Sequence, residues 1–267
     1  MPDAPQTGQL DYATYLELPT MLTLQTPQSS PAEHDEMLFI VIHQVYELWF
    51  KQILHELDLA GVRFREGDLW SVAHILKRVR MILKTLVSQI DILETMTPSS
   101  FVSFRDRLDT SSGFQSMQFR CIEFRLGVKR EQVLKYLPEG LHGRDEALNR
   151  FHGPSVVDDF HAFLATQGLD VPDDLLTPDT ERRYEGDERM QNLILLAHET
   201  RPELDMLFET MLDIDEGLQE WRYRHVQLVR RTIGNKHGTG GSPGVPYLER
   251  TLFEPAFPDL WAIRHRF

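Results

Sequence analysis

The stretch Trp221-Arg222-Tyr223-Arg224-His225-Val226-Gln227-Leu228-Val229-Arg230-Arg231-Thr232-Ile233-Gly234 predicts a helix with one apolar face. Side chains three and four residues apart share a face of a helix, and this face carries Leu218, Trp221, His225, Leu228 and Thr232. Gly234 follows the last of them, as glycine commonly does at a helix C-terminus. An imidazole therefore lies at the centre of an otherwise core-like stripe.

Two interpretations of His225 are open. It is either a core histidine whose ring hydrogen-bonds to a neighbouring residue, or a residue on a rigid helix that binds a metal or a haem iron. Residues 235–244 are so rich in glycine that they predict a loop that either bends tightly or approaches another group closely. In the ligand interpretation, the backbone of this loop faces the ligand beside His225.

The chain ahead of this stretch predicts an all-α fold, since no strand-like alternation, internal repeat or low-complexity segment is present. An acidic start signal at residues 31–36 predicts a long helix that continues to about residue 59, with one mostly aromatic face that carries Phe39, His43, Tyr46 and Phe50. A different, more solvent-exposed face of this helix carries Glu47, Lys51 and Glu56. Residues 68–96 form a second amphipathic helix, on which Lys77, Arg78 and Arg80 form a solvated face. His43 has the same two interpretations as His225.

Composition limits the function. The 267 residues are 41% hydrophobic, which is enough for one domain with a sizeable core. A net charge of −13 argues against nucleic acid or an anionic membrane as the main partner. Cys121 is the only cysteine, which excludes internal disulfides and multi-cysteine metal sites. No targeting signal or membrane span is recognisable, so we expect a soluble, cytoplasmic protein.

The sequence motifs argue against several kinds of metal and phosphate site. A di-iron bundle needs Glu-x-x-His on each of two helices, but that spacing occurs only at Glu139 and His142, inside a Pro/Gly stretch. His-Glu-x-x-His and a phosphate-binding P-loop are absent, and the glycine loop follows a helix rather than a strand. A helical pocket with His43 and His225 remains, in which one histidine binds haem iron and the other is the distal polar group.

A resemblance sharpens this interpretation. The sequence resembles the signature blocks of the tryptophan 2,3-dioxygenase family, in the family's order, from about Tyr12 to Tyr247. The blocks are 34–39 (His-Asp-Glu-Met-Leu-Phe), 43–49 around His43-Gln44 and Glu47-Leu48-Trp49, 112–116 (Ser-Gly-Phe-Gln-Ser), 221–225 (Trp-Arg-Tyr-Arg-His) and 238–242 (Gly-Thr-Gly-Gly-Ser). Each block is weak alone, but together and in order they are specific.

The resemblance implies a single all-helical domain over residues 1–267 that encloses a haem pocket and assembles as a homotetramer. Residues 1–30 would form an arm that contacts a neighbouring subunit. It also implies that ferrous haem b, one per subunit, reacts with O2 and L-tryptophan. The product is N-formyl-L-kynurenine, the first intermediate of tryptophan catabolism by the kynurenine pathway.

The same resemblance assigns roles to individual positions. His225 matches the axial ligand of the iron, and Ser112 and Gly113 match positions that contact the haem. The positions that bind or orient tryptophan are Phe39, His43, Phe101, Arg105, Thr239, Tyr12 and Tyr15, with His43 also in the catalytic role. Arg105 would pair with the substrate carboxylate, and Thr239, with a haem propionate, would meet the ammonium. The two tyrosines would reach a neighbouring subunit's site.

Some alternatives stay open at the level of sequence. Phe101 departs from relatives that carry a tyrosine there, so the hydroxyl that helps to bind the carboxylate is missing. Arg105 could instead be a surface arginine paired with Asp109. A haem-binding sensor or carrier, a helical scaffold with two core histidines, and an indoleamine dioxygenase with a wider substrate range are the competing functions.

Overall fold

The computed structural model describes residues 10–135, 139–177, 179–234, 236, 238 and 244–267. All regular elements in these ranges are helical, which confirms the all-α prediction. The α-helices are α1 (Tyr12–Tyr15), α2 (Leu18–Met21), α3 (His34–Arg65), α4 (Leu69–Leu93), α5 (Pro98–Arg105), α6 (Met117–Arg125), α7 (Glu131–Lys135), α8 (Arg144–His152), α9 (Val156–Thr166), α10 (Glu188–Thr200), α11 (Asp205–Ile233), α12 (Val245–Glu249) and α13 (Pro258–Ala262). Short 3-10 helices span Gly113–Gln115, Asp173–Leu175, Pro202–Leu204 and Ile263–Arg266.

The helix α3 extends further than the sequence predicts, to Arg65 instead of residue 59. Acidic side chains in its first turn and basic ones in its last turn complement the helix dipole. It ends before Gly67, whose φ of +73° is a conformation that glycine adopts without a steric penalty. The helices α4, α6 and α9 all pack against α3, so more than one of its faces is buried.

This packing overturns the prediction for Glu56. Its side chain does not lie on a wet face: the residue is only 2% exposed. Arg78 of α4 donates to both of its carboxylate oxygens, at 2.9 and 3.0 Å, and Gln52 donates at 2.6 Å. The prediction failed because it treated α3 as a helix with a single buried stripe. Arg78 is half exposed and spans from solvent to this buried carboxylate, so the solvated face predicted for α4 is only partly correct.

The helix α11 ends where its stripe predicts, with Gly234 at its C-cap and a φ of +60°, but it begins at Asp205, well before the first residue of the stripe, Leu218. It packs along α4, which in turn packs along α3, and this layer of three long helices forms the centre of the molecule. Side chains from all three belong to one hydrophobic core.

The C-terminal segment is tied to α11 by a buried carboxylate. Asp215 accepts hydrogen bonds from the backbone N–H groups of Ala256 and Phe257, at 2.9 and 3.2 Å, and from Trp261 Nε1 at 2.9 Å. These bonds stabilise the charge that burial would otherwise penalise. Within the ranges that the structure describes, none of the helices combines the length and apolar character needed to cross a membrane.

Candidate functional site

A cavity of about 290 Å³ opens between α3, the end of α5, the start of α6, α11 and α12. Its wall is mostly apolar, with a few convergent polar groups, which is the usual character of a small-molecule site. His43 from α3 and His225 from α11 both line it. The structure therefore brings together the two histidines that the sequence placed on separate helical stripes.

His225 is stacked on the indole of Trp221, with ring centroids 5.2 Å apart and an interplanar angle of 11°. Trp221 is held in turn by Phe119, at a centroid distance of 4.8 Å. Burial is the largest cause that lowers the pKa of His225 to about 4, and repulsion from the Arg120 guanidinium, and from His43 whenever that ring is protonated, adds to the shift. The imidazole is thus neutral at pH 7, with a lone pair available, and no hydrogen bond to another described residue occupies its ring nitrogens.

His43 has a defined tautomer. Its Nδ1 lies 2.6 Å from the carbonyl oxygen of Phe39, so Nδ1 carries the proton and donates it there. Burial lowers the pKa of His43, although this hydrogen bond and the charge of Glu47 oppose the shift. Nε2 of the neutral ring is left as an acceptor. The Phe39 ring, 4.2 Å from the imidazole centroid, supplies a flat apolar wall beside it.

The short helix α5 contributes Phe101 and Arg105 to the same wall. Phe101 is buried, and its ring packs 5.7 Å from Phe39 and 5.4 Å from Phe104. Arg105 is the last residue of α5 and lines the cavity, half-buried. A role in binding an anion therefore explains the position of Arg105 better than a purely surface role does.

The segment before α6 also reaches the cavity, through Ser112 and Gly113. Ser112 caps the Gly113–Gln115 3-10 helix, and its hydroxyl accepts the N–H of Phe114 at 3.3 Å. A Cβ built on Gly113 would meet no heavy atom within 4 Å. The backbone here is therefore open to a group in the cavity.

The remaining predicted site residues lie elsewhere. Tyr12 and Tyr15 of α1 are 76% and 73% exposed and do not line the cavity of their own chain. Thr239 lies outside the described residues, whereas Gly238 and Gly244 on either side of it line the cavity. The glycine-rich loop, which the sequence predicts to lie beside a ligand, therefore borders the cavity at Gly238 and Gly244.

The wall also contains four charged side chains that the sequence did not predict there: Arg120, Glu123, Arg130 and Arg222, all of them buried except Arg130, which is partly exposed. The lining contains four arginines, counting Arg105, and two glutamates, counting Glu47, so it has an excess of two positive charges in a chain of net charge −13. One signal was present, because Arg120 and Glu123 interrupt an apolar run on α6 at helical spacing. Their partners could not be found this way, since Arg222 lies 99 residues from Glu123.

Comparison with known proteins bears on this cavity. A family model described as tryptophan 2,3-dioxygenase matches residues 3–152 and 161–266. The chain belongs to this family. A tryptophan 2,3-dioxygenase of Herpetosiphon aurantiacus is 48% identical over 255 residues, which cover 96% of this chain and 97% of that protein. One of Anaeromyxobacter sp. (strain K) is 49% identical over 258 residues, 97% of this chain and 96% of that protein.

A more distant relative has the same name. The tryptophan 2,3-dioxygenase of Arthrobacter sp. (strain FB24) is 40% identical over 261 residues, covering 97% of this chain and 92% of that protein. The match to the tryptophan 2,3-dioxygenase family therefore extends over nearly the whole chain, including every helix that lines the cavity.

Haem is the cofactor that this family implies, and the residues present fit it. A neutral imidazole such as that of His225, set in a mostly apolar wall, is a ligand by which proteins hold haem iron. Several buried polar atoms around it have no described partner: Arg120 Nε, Arg222 Nε, Trp221 Nε1 and the Tyr247 hydroxyl. Buried donors are rarely left unsatisfied, so they indicate a polar group in the cavity. The excess positive charge matches the pair of propionates on a haem.

Proposed function

We propose that this protein is a haem-dependent dioxygenase that inserts both atoms of O2 across the indole C2–C3 bond of L-tryptophan to give N-formyl-L-kynurenine. This reaction is the first step of tryptophan catabolism by the kynurenine pathway. The observation that carries the proposal is the pairing of two neutral histidines in one cavity, His225 stacked on Trp221 and His43 with Nε2 left as an acceptor. The membership of the family supports it.

In this proposal His225 would bind the iron of one haem b per subunit, which would be ferrous in the active form. Ser112 and Gly113 would contact the macrocycle, and Arg120 and Arg222, whose buried Nε atoms have no described partner, would be available to meet a propionate. When bound, the haem supplies the site at which O2 is activated. The apolar wall excludes water from that site and preserves the charge interactions within it.

Residues of this chain then hold the substrate. The Phe39 ring flanks the indole, and His43 Nε2 accepts the indole N–H and so orients the ring. Because an indole N–H is a very poor acid, His43 acts by orientation. Arg105 pairs with the carboxylate, which its planar fork suits. The residue matched to the ammonium is Thr239, together with a propionate.

The last part of the proposal concerns the N-terminal arm, residues 1–30, and assembly with other subunits. Tyr12 and Tyr15 leave more than 70% of their surface exposed, so a neighbouring subunit has two amphipathic rings available to it. We therefore propose one domain over residues 1–267, with residues 1–30 contacting another subunit of a homotetramer. A cytoplasmic location is part of the same proposal.

The proposal is tested by mass spectrometry of the product formed from L-tryptophan and ¹⁸O-labelled O2 by haem-reconstituted, reduced protein. We expect a product that carries both labelled atoms. If tryptophan were recovered unchanged from protein that had bound haem, a sensor or carrier would replace the enzyme. If substituted indoles without the amino acid reacted as readily, the wider-substrate indoleamine dioxygenase would be favoured.

We predict that His43→Ala keeps measurable turnover, with kcat/KM lower by about 10- to 100-fold, because one buried hydrogen bond that orients the indole is lost. Steady-state kinetics with L-tryptophan measures this change. His55→Ala is the matched control, since His55 is exposed on the same helix. Complete loss of turnover in protein that still binds haem and tryptophan would contradict the orienting role and favour a proton transfer.

We predict that Phe101→Tyr binds L-tryptophan about threefold to tenfold more tightly, because the new hydroxyl can donate to the substrate carboxylate beside Arg105. Titration of the haem absorption band with L-tryptophan measures the affinity. Phe104→Tyr is the control: Phe104 is fully buried and does not line the cavity, so its hydroxyl gives no gain and costs stability. Equal or weaker binding by Phe101→Tyr would show that the carboxylate lies elsewhere.

A further inference from the structure

The carboxylate of Glu123 accepts hydrogen bonds from three guanidinium groups in the wall of the cavity. Glu123 lies on α6 and is only 1% exposed. Arg120, one turn earlier on the same helix, donates to Oε2, and Arg130 donates to Oε1. Arg222 of α11 also donates to Oε1, at 2.8 Å. One carboxylate thus joins α6, the segment that follows it and the helix that carries His225.

The contact with Arg222 bears directly on His225, because the two residues are three positions apart on α11 and so lie on adjacent turns. Arg222 Nη1 also donates to the carbonyl of Thr251, at 3.2 Å. The same side chain is therefore held at both ends of its guanidinium, by α6 and by the segment after α12. These bonds fix the rotation and the height of the turn from which His225 reaches the cavity.

The cluster has an unbalanced charge. Arg120, Arg130 and Arg222 carry three positive charges against the single negative charge of Glu123. Glu254, 4.0 Å from Arg130, is itself paired with Arg183 at 3.4 Å, so this second pair adds no net charge. Burial would raise the pKa of Glu123, but the three arginines outweigh it and hold that pKa at about 2. Glu123 is therefore ionised throughout the physiological range.

Arg120 of the cluster is connected to His225 by a series of contacts between aromatic rings. The guanidinium of Arg120 lies over the ring of Phe119, which packs on Trp221, which is stacked on His225. In this mostly apolar cavity the charge of Arg120 is less screened than it would be in bulk water.

We propose that Glu123 is a positioning residue of this site, which holds the turn of His225 through Arg222 and sets the electrostatic potential that a bound haem experiences. The inference rests on the proposed function, in which His225 is the axial ligand. The physical consequence is a change in the equilibrium between the two iron oxidation states. Added positive charge favours the electron-richer ferrous form, and loss of positive charge favours the ferric form.

The test compares the midpoint reduction potentials of haem-reconstituted full-length variants by spectroelectrochemical titration. Glu123→Gln removes a negative charge at nearly constant volume, and we expect its potential to shift upward from that of the unsubstituted protein. Arg130→Gln removes a positive charge from the same cluster, and we expect a downward shift. Arg130 is the most exposed arginine of the cluster, so its loss is the best tolerated. Opposite signs from two disruptive substitutions are not produced by loosened packing alone.

Glu56→Gln is the matched control. Glu56 is the same residue type, is equally buried and is paired with an arginine, but it does not line the cavity. We expect its potential to be unchanged even if its unfolding temperature falls. Shifts of the same sign in Glu123→Gln and Arg130→Gln, no shift in either, or an equal shift in Glu56→Gln would overturn the inference.

Three further outcomes are informative. Should Glu123→Gln fail to fold, Arg130→Gln decides alone: a lower potential supports the inference, and an unchanged or higher one overturns it. Should the unsubstituted protein bind no haem, the proposed function fails and the inference fails with it. A protein that binds haem and converts tryptophan, but whose variants show no opposite shifts, contradicts only the role of Glu123.

Discussion

We expect His225→Ala to lose the normal axial coordination of the haem and, with it, tryptophan turnover. The alanine cannot supply a ligand, and the neighbouring stacked ring, Trp221, has only an N–H donor to offer. The loss of activity should exceed the about 10- to 100-fold that removal of an outer-shell partner of a metal typically costs. The absorption and resonance Raman spectra of the reconstituted, reduced protein measure the coordination.

A chemical rescue makes this prediction specific. The deleted ring leaves a hole beside Trp221, so added imidazole should enter it and restore a histidine-like spectrum. His161→Ala is the matched control: His161 is also buried, bonded through Nδ1 to the carbonyl of Leu175, but it does not line the cavity. It should cost stability and leave the haem spectrum intact. An unchanged spectrum in His225→Ala would disprove the axial role.

The sequence contained the information for the part of this site that depends on local periodicity. The stripe through Trp221 and His225 and the helix end at Gly234 follow from spacings of three and four residues, and the structure has both. His43 and Phe39 share a helix face for the same reason. That the two histidine faces meet in one cavity required the packing of three long helices, which spacing alone does not define.

The missed residues are charges whose burial depends on distant partners. Glu56 is buried because Arg78 of α4 covers it, and Glu123 because Arg222 of α11 reaches it. A pattern of polar and apolar residues assigns such carboxylates to solvent, since an ionised group is buried only when a partner compensates the lost hydration. The partners are separated along the chain by 22 and 99 residues, so local reasoning could not pair them.

The second large effect is expected at Arg105. We predict that Arg105→Met weakens the binding of L-tryptophan by about 100-fold or more, because a buried carboxylate loses its charge-assisted partner, which is worth about 3 kcal/mol. Haem binding should be unaffected, since the stripe of His225 lies on another helix. Titration of the haem absorption band with L-tryptophan gives the dissociation constant, and steady-state kinetics gives kcat and KM.

A pair of ligands isolates the interaction that Arg105 is proposed to make. Tryptamine has the indole and the ammonium of tryptophan but no carboxylate, so its affinity should change little between the unsubstituted protein and Arg105→Met. Arg107→Met is the control on the same segment, because Arg107 is exposed and does not line the cavity. If both ligands lost affinity to the same extent, Arg105 would be shaping the wall of the cavity rather than binding the carboxylate. A loss confined to L-tryptophan would instead place the substrate carboxylate at the end of α5, and the indole would then extend past Phe101 toward Phe39 and His43.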